Sequence, residues 1–338
     1  FGGRRGTPTT FGLQQALAEL EGGFECLLAP SGLAALTTAL LAYLETGDHL
    51  LMVDSVYLPT RHFCDGMLKR LGIETTYYDP LAGAGVSDLM RPNTKVVFVE
   101  SPGSVTFEVQ DVPAIAAAAH AGGALCIMDN TWATPLYFKS FEHGVDVSIH
   151  AGTKYIVGHS DAMLGTITTT EAAWPRLKEA HDLLGQCAGP DDVYLGQRGL
   201  RTMGARLRQQ QETALVLARW LLDRTEVERV LHPALPGDPG HALWKRDFTG
   251  ASGLFGAVLK PYSQDAVTAL VDDLELYGLG YSWGGYESLI MFYEPEKMRT
   301  ATEWDAPGPT IRIHAGLEDP EDLIADLERG FERFNAAL

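Results

Sequence analysis

The sequence is short of positive charge: 26 lysines and arginines stand against 44 aspartates and glutamates, a formal net charge of −18. A surface of that balance repels phosphate backbones and anionic lipid headgroups, which argues against a nucleic-acid or membrane partner. Cysteine is scarce too. The four thiols, Cys26, Cys64, Cys126 and Cys187, have neither C-x-x-C nor ligand-like spacing. Neither a zinc cage nor a disulfide framework is signalled, and reduced thiols in the cytoplasm are the expectation. No long apolar run is present: the longest weakly polar stretch, 112–128, is interrupted by Pro113, His120 and the Gly122-Gly123 pair, so it is no membrane span. No secretory leader is visible, and a start at Phe1 without methionine leads us to expect an arm upstream. Internal repeats and low-complexity tracts are absent as well.

What is present is enough apolar material for two domains with a sizeable interior, 46% hydrophobic residues in a chain of 338. Through about residue 170 short β-type runs alternate with helical ones, the pattern of a mostly parallel sheet covered on both faces. Ser31 caps a helix running to Leu44, and "HLLMVD" follows as a buried strand. Asp111 caps "VPAIAAAAHA", Gly122 ends it, and "ALCIMD" (124–129) is the next strand. "KVVFVES" (95–101) and "DVSIH" (146–150) complete the centre of the sheet. Apolar positions Met203, Leu207, Ala214, Leu217 and Leu221 recur at helical spacing and predict a long helix from about 199 to 224. It divides a sheet domain, 1–199, from a smaller α+β domain, 200–338, in which "SGLFGAVL" (252–259) is a strand.

Lys154 stands out inside "SIHAGTKYIVGHSD" because its neighbours are small, apolar or hydroxylic up to Asp161. Desolvation lowers the pKa of such an amine, and a neutral amine is what a Schiff base with an aldehyde requires; a solvated surface lysine is the plainer reading. Asp129 ends a buried strand at the same sheet edge, where it either caps the next segment or pairs with a protonated pyridine nitrogen. The backbone N–H groups of Gly32 and Leu33, at a strand-to-helix turn, suit a phosphate or serve mere capping. Tyr57 either packs or offers a ring face for stacking. Arg312, between apolar neighbours in "PTIRIHAGLED", suits the carboxylate of an amino acid or a structural ion pair. Arg61 and His62 either meet the distal end of a substrate or begin a solvated helix. His159 and Asp161 either brace the lysine loop, the reading expected here, or act in proton transfer.

The segments "SGLAAL", "MDNTWATP", "TKYIVGHSD", "YSWGGYESL" and "IRIHAGLED", in this order and spacing, resemble the pyridoxal-phosphate enzymes of cysteine and methionine metabolism, and among these the bacterial cystathionine β-lyase branch. The resemblance covers essentially the whole chain. It implies the type I, aspartate-aminotransferase-like fold, α/β with a mostly parallel seven-stranded sheet and a smaller C-terminal α+β domain. It also implies the cofactor, pyridoxal 5'-phosphate, on Lys154 as the Schiff-base lysine. Asp129 would meet the ring nitrogen, Tyr57, counted with Lys154 among the catalytic residues, the ring face, and Gly32, Leu33 and Thr153 the phosphate. Arg312, Ser282, Trp283 and Tyr281 would hold a small amino-acid substrate. Arg4 would serve the phosphate of a neighbouring subunit, in a homo-oligomer expected to be a tetramer built of dimers that share active sites.

Two departures carry consequences. The wider family reads H-S-A-T-K where this chain reads His150-Ala151-Gly152-Thr153-Lys154, one phosphate-binding serine fewer. The family's N-terminal Tyr-x-Arg appears as Gly2-Gly3-Arg4, without the tyrosine. The implied reaction is β-elimination of cystathionine to homocysteine, pyruvate and ammonia. A γ-synthase, a γ-lyase or a broader cysteine-conjugate lyase is the alternative in the same fold, and a weakly active cofactor-binding regulator the alternative in another class. Tyr281-Ser282-Trp283-Gly284-Gly285, where γ-carbon relatives have Glu-Ser-Leu-Gly-Gly, favours the β-lyase by analogy.

Overall fold

The computed structural model describes residues 3–338, so the reading of Gly2 lies outside the described residues. Seven strands make the larger sheet: β1 (Glu25–Ala29), β2 (His49–Val53), β3 (Glu74–Tyr78), β4 (Thr94–Glu100), β5 (Leu125–Asp129), β6 (Val147–Ala151) and β7 (Gly165–Thr169). Their order is β1-β7-β6-β5-β4-β2-β3, and β7 alone runs against its neighbours. Strands β2, β4 and β5 are apolar and buried almost throughout, as a parallel sheet covered on both faces requires. The cover includes the helices Gly32–Tyr43 and Val112–Ala121. Both begin as the sequence predicts: Ser31 Oγ accepts from the Ala34 N–H at 3.1 Å and Asp111 Oδ1 from the Ala114 N–H at 3.3 Å.

The second sheet has five strands, β8 (Val227–Leu231), β9 (Leu254–Leu259), β10 (Gly278–Leu279), β11 (Leu289–Tyr293) and β12 (Thr310–His314), in the order β10-β11-β12-β9-β8. It is antiparallel apart from the β10–β11 pair. The helices Met203–Leu222 and Pro320–Ala336 pack their apolar stripes against it around Leu217, Phe255, Ile311 and Phe331. The long helix expected over about 199–224 is Met203–Leu222; a separate helix, Pro190–Leu200, ends just before it, with a turn at Arg201 and Thr202 between them.

One surface feature of the sequence reading is corrected. Arg61 neither starts a solvated helix nor reaches toward a substrate: it is buried, paired with Asp54 at 2.6 Å and laid over the Tyr77 ring at 3.7 Å. Asp54 also accepts from the Thr300, Ala301 and Thr302 N–H groups, at 3.1, 3.0 and 2.8 Å. Its carboxylate thereby ties the β11–β12 connection to the larger sheet, and Arg61 balances a charge that is otherwise buried. His62, beside it, is exposed.

Candidate active site

Strands β4, β5 and β6 end side by side, and the turn after β6 carries Lys154, whose N–H donates to the Ala151 carbonyl at 2.9 Å. The carboxyl edge of an open parallel sheet is where ligands collect, because chain direction reverses there and leaves a crevice. Lys154 Nζ donates to Ser282 Oγ at 2.6 Å and lies 5.1 Å from the Trp283 ring centroid. Gly284 explains how the SWGG segment comes so close. Its φ is +85°, and a Cβ there would sit 2.8 Å from Lys154 Cα and Cβ, so the position requires glycine on both grounds.

Burial pushes the Lys154 ammonium down to about 8; the Arg312 guanidinium adds to the shift and Asp129 opposes it. A substantial neutral fraction therefore exists near neutral pH, which makes the amine a nucleophile and a base. Burial raises the Asp129 carboxyl above the usual carboxylate range, and it is resisted by Thr131, whose N–H and hydroxyl donate to Oδ1 at 3.0 and 2.5 Å, and by the charges of His150 and Lys154. Thr131 Oγ1 also accepts from the Ala151 N–H at 2.9 Å, which locks β5 to the start of the lysine turn.

His150 is wholly inside the fold, where burial alone would discharge it. The buried Glu21 carboxylate hydrogen-bonded to its Nε2 outweighs that cost and raises the imidazole above its ordinary value. The sequence reading singled out neither member, since Glu21 ends the helix Pro8–Glu21 far from the lysine segment in the chain.

Arg312, on β12, is 7% exposed and donates through Nη2 to the Tyr281 carbonyl at 2.8 Å. Its guanidinium lies 4.8 Å from the Tyr293 ring centroid, and no acid pairs with it among the described residues. A buried guanidinium with spare donors and no anion is a receptor for one. The structural ion-pair reading therefore finds no partner here. Tyr293 was missed by the sequence reading, as an aromatic in an apolar strand carries no distinguishing signal. Tyr281 contributes its carbonyl while its ring is largely exposed, 6.4 Å from that of Tyr293.

Tyr57 is half exposed; burial, Asp129 and Glu100 raise its phenol, and Arg312 opposes them, so it faces the same cleft. Gly32 begins the helix Gly32–Tyr43, and a Cβ there would meet the Ala151 Cβ at 2.5 Å, so the helix start is pressed against the end of β6. The Gly32 and Leu33 N–H groups lie in a first turn, where backbone donors lack intrahelical acceptors and the dipole favours an anion. Thr153 adjoins Lys154, but its Oγ1 accepts from the Leu164 N–H at 2.9 Å and donates to the Leu164 carbonyl at 3.2 Å. His159 bonds the Val157 carbonyl within the lysine loop at 2.8 Å. Arg4 is not brought to this group: it donates to the Asp182 carbonyl at 3.0 Å.

The chain is similar to known proteins over nearly its whole length. The cystathionine beta-lyase MetC of Escherichia coli K12 is 51% identical over 98% of this chain and 86% of its own length. The cystathionine beta-lyase of Salmonella typhimurium LT2 is 50% identical over the same shares. The crystal structure of cystathionine gamma synthase from Xanthomonas oryzae pv. oryzae, in complex with aminoacrylate and cysteine, superposes with a TM-score of 0.92 at 33% identity, covering 99% of this chain and 88% of that one. Residues 2–332 match the family described as Cys/Met metabolism PLP-dependent enzymes, and the chain belongs to that family.

Proposed function

We propose that the protein is a pyridoxal-phosphate-dependent carbon–sulfur lyase that performs β-elimination on L-cystathionine, giving homocysteine and a three-carbon enamine that water hydrolyses to pyruvate and ammonia. The observation that carries this is the Lys154 amine, shifted to about 8 and close to both Asp129 and an Arg312 that has no acid partner among the described residues. The choice of substrate follows the two lyases that share half of its residues.

The residues present fit the cofactor. The cradle at Gly32 and Leu33 leaves first-turn N–H donors for a phosphate, and a side chain at Gly32 would collide with Ala151. Asp129 directs both Thr131 hydrogen bonds to Oδ1, which leaves Oδ2 to meet a cationic ring nitrogen. Tyr57, beside Asp129 and Arg312, would offer its ring face to the cofactor. Thr153, on the lysine turn, is the further hydroxyl assigned to the phosphate, in exchange for its contact with Leu164. When bound, pyridoxal phosphate supplies an electron-withdrawing ring that accepts the electron pair left at Cα. Arg312 grips the substrate carboxylate, with Ser282, Trp283 and the Tyr281 carbonyl fixing its orientation. With the cofactor bound, Lys154 would be placed to take a proton from the substrate's Cα, next to the carbon whose bond to sulfur is broken.

We also infer a boundary near residues 199 and 200, because β1–β7 precede it and β8–β12 follow it. We place the protein in the cytoplasm on its four free thiols. No described helix is long and apolar enough to cross a membrane. We further propose a homo-oligomer, a tetramer of site-sharing dimers. Arg4 lies apart from Lys154 within one chain, so any service it gives to a phosphate is to another copy. The test of the reaction is an assay on cystathionine that scores pyruvate against 2-oxobutyrate, with borohydride trapping and peptide mapping. Pyruvate and a label on Lys154 are expected; 2-oxobutyrate, or a label elsewhere, overturns the reading.

A further inference from the structure

Two acids end neighbouring strands on the floor of the cleft. Glu100 and Asp129 are register partners on β4 and β5, so their side chains leave the sheet on the same side, about 5 Å apart at the backbone. Their support is unequal. Asp129 has two donors from Thr131 and the nearby charges of His150 and Lys154. Glu100 Oε2 accepts a single backbone hydrogen bond, from the Tyr57 N–H at 2.7 Å, and Ser104 offers a hydroxyl.

No cation offsets Glu100 among the described residues. Asp129 faces it from β5. On the other flank β2 runs out into Asp54, whose charge is taken by Arg61 at 2.6 Å. The Tyr57 phenol stands above, and the Gln110 side chain is spent on the Glu100 backbone N–H at 3.0 Å. Burial first, and then the Asp129 charge, raise the Glu100 carboxyl well above the usual range. Two like charges on adjacent strand ends repel through a poorly solvated medium, and a single hydrogen bond does not offset that. Any ring laid against Tyr57 removes what solvent still reaches Glu100 and favours its neutral form further.

We propose that Glu100 is a positioning residue held as a neutral carboxylic acid: one oxygen fixes the Tyr57 backbone where the helix Leu58–Phe63 begins, while Asp129 remains the sole anion beneath the ring. The role rests on the cofactor site assigned above. It explains how two adjacent acids coexist at one sheet edge without competing for the same cation.

Three chains test it: wild type; Glu100→Gln, which keeps an acceptor for Tyr57 but has no charge to gain; and Glu100→Leu, which lacks both. In cofactor-free protein at neutral pH, the infrared difference between wild type and Glu100→Gln should contain the carbonyl stretch of a protonated acid. Carboxylate bands in its place overturn the proposal, whatever becomes of the cofactor assignment. In loaded protein, the pH midpoint of the visible band should move by less than about 0.3 unit in Glu100→Gln, and a fall of about one unit or more, the mark of deleting a true anion, overturns it. Glu100→Leu should lose cofactor about tenfold faster than Glu100→Gln, and equal retention by the two removes the positioning role. If borohydride fails to label Lys154 in the wild type, the cofactor site falls while the infrared result still decides the protonation.

Discussion

Lys154 is a costly residue in the cofactor-free protein, and the cost has a definite pH course. Its folded value of about 8 lies below the reference of 10.5, so the folded state releases its proton first. The penalty is full below the folded value and disappears as pH rises toward the unfolded one. Lys154→Met should therefore stabilise the cofactor-free protein near pH 7 by on the order of 2 kcal/mol, an amount discounted for partial solvent access. Denaturant unfolding should show that difference vanish by about pH 10.5, and a gain that is flat with pH would refute the desolvation account. Lys154, Asp129 and Arg312 stood out as residues because each is a charged group in a run of apolar or small neighbours, whereas Ser282 and Trp283 were legible only through the resemblance of their motif. Glu100 was overlooked although its signal was there: "KVVFVES" ends in an acid where "ALCIMD" does. What the chain does not display is that the two ends are in register.

At the scale of elements, Asp54 fastens the β11–β12 connection to the larger sheet with three backbone donors and Arg61. Arg299 adds a second fastening, to Thr106 at 2.6 Å and to Glu108. Asp54→Asn weakens the ion pair and loses an acceptor, and should cost about 3 kcal/mol in urea unfolding. Trypsin should then cut faster after Lys297 and Arg299, and unchanged stability with unchanged cutting would show the tie to be idle. Helix starts at Ser31 and Asp111 were readable because a cap is a local bargain between one side chain and its own first turn. Arg61 was not: its partner Tyr77 and the segment it steadies around Thr300 are distant in sequence.

At the scale of the whole molecule, shared sites can be tested by complementation. Neither Arg4→Ala nor Lys154→Ala should be fully active alone. If Arg4 serves its neighbour's site, co-refolding the two variants should restore about a quarter of wild-type turnover, since half of the dimers are mixed and each has one intact site. Recovery no greater than the sum of the separate variants would place Arg4 outside the active site. The sequence alone determined the two-sheet architecture, the order of the motifs and the lysine at their centre, because periodicity, capping and motif spacing are properties of neighbouring residues. Only the tertiary structure decided that Glu100 lies beside Asp129, that Glu21 raises the His150 imidazole, that Arg312 finds no acid among the described residues and that Arg61 is shut inside. Charges interact through space, and the distances that set them are made when strands remote in the chain are laid edge to edge.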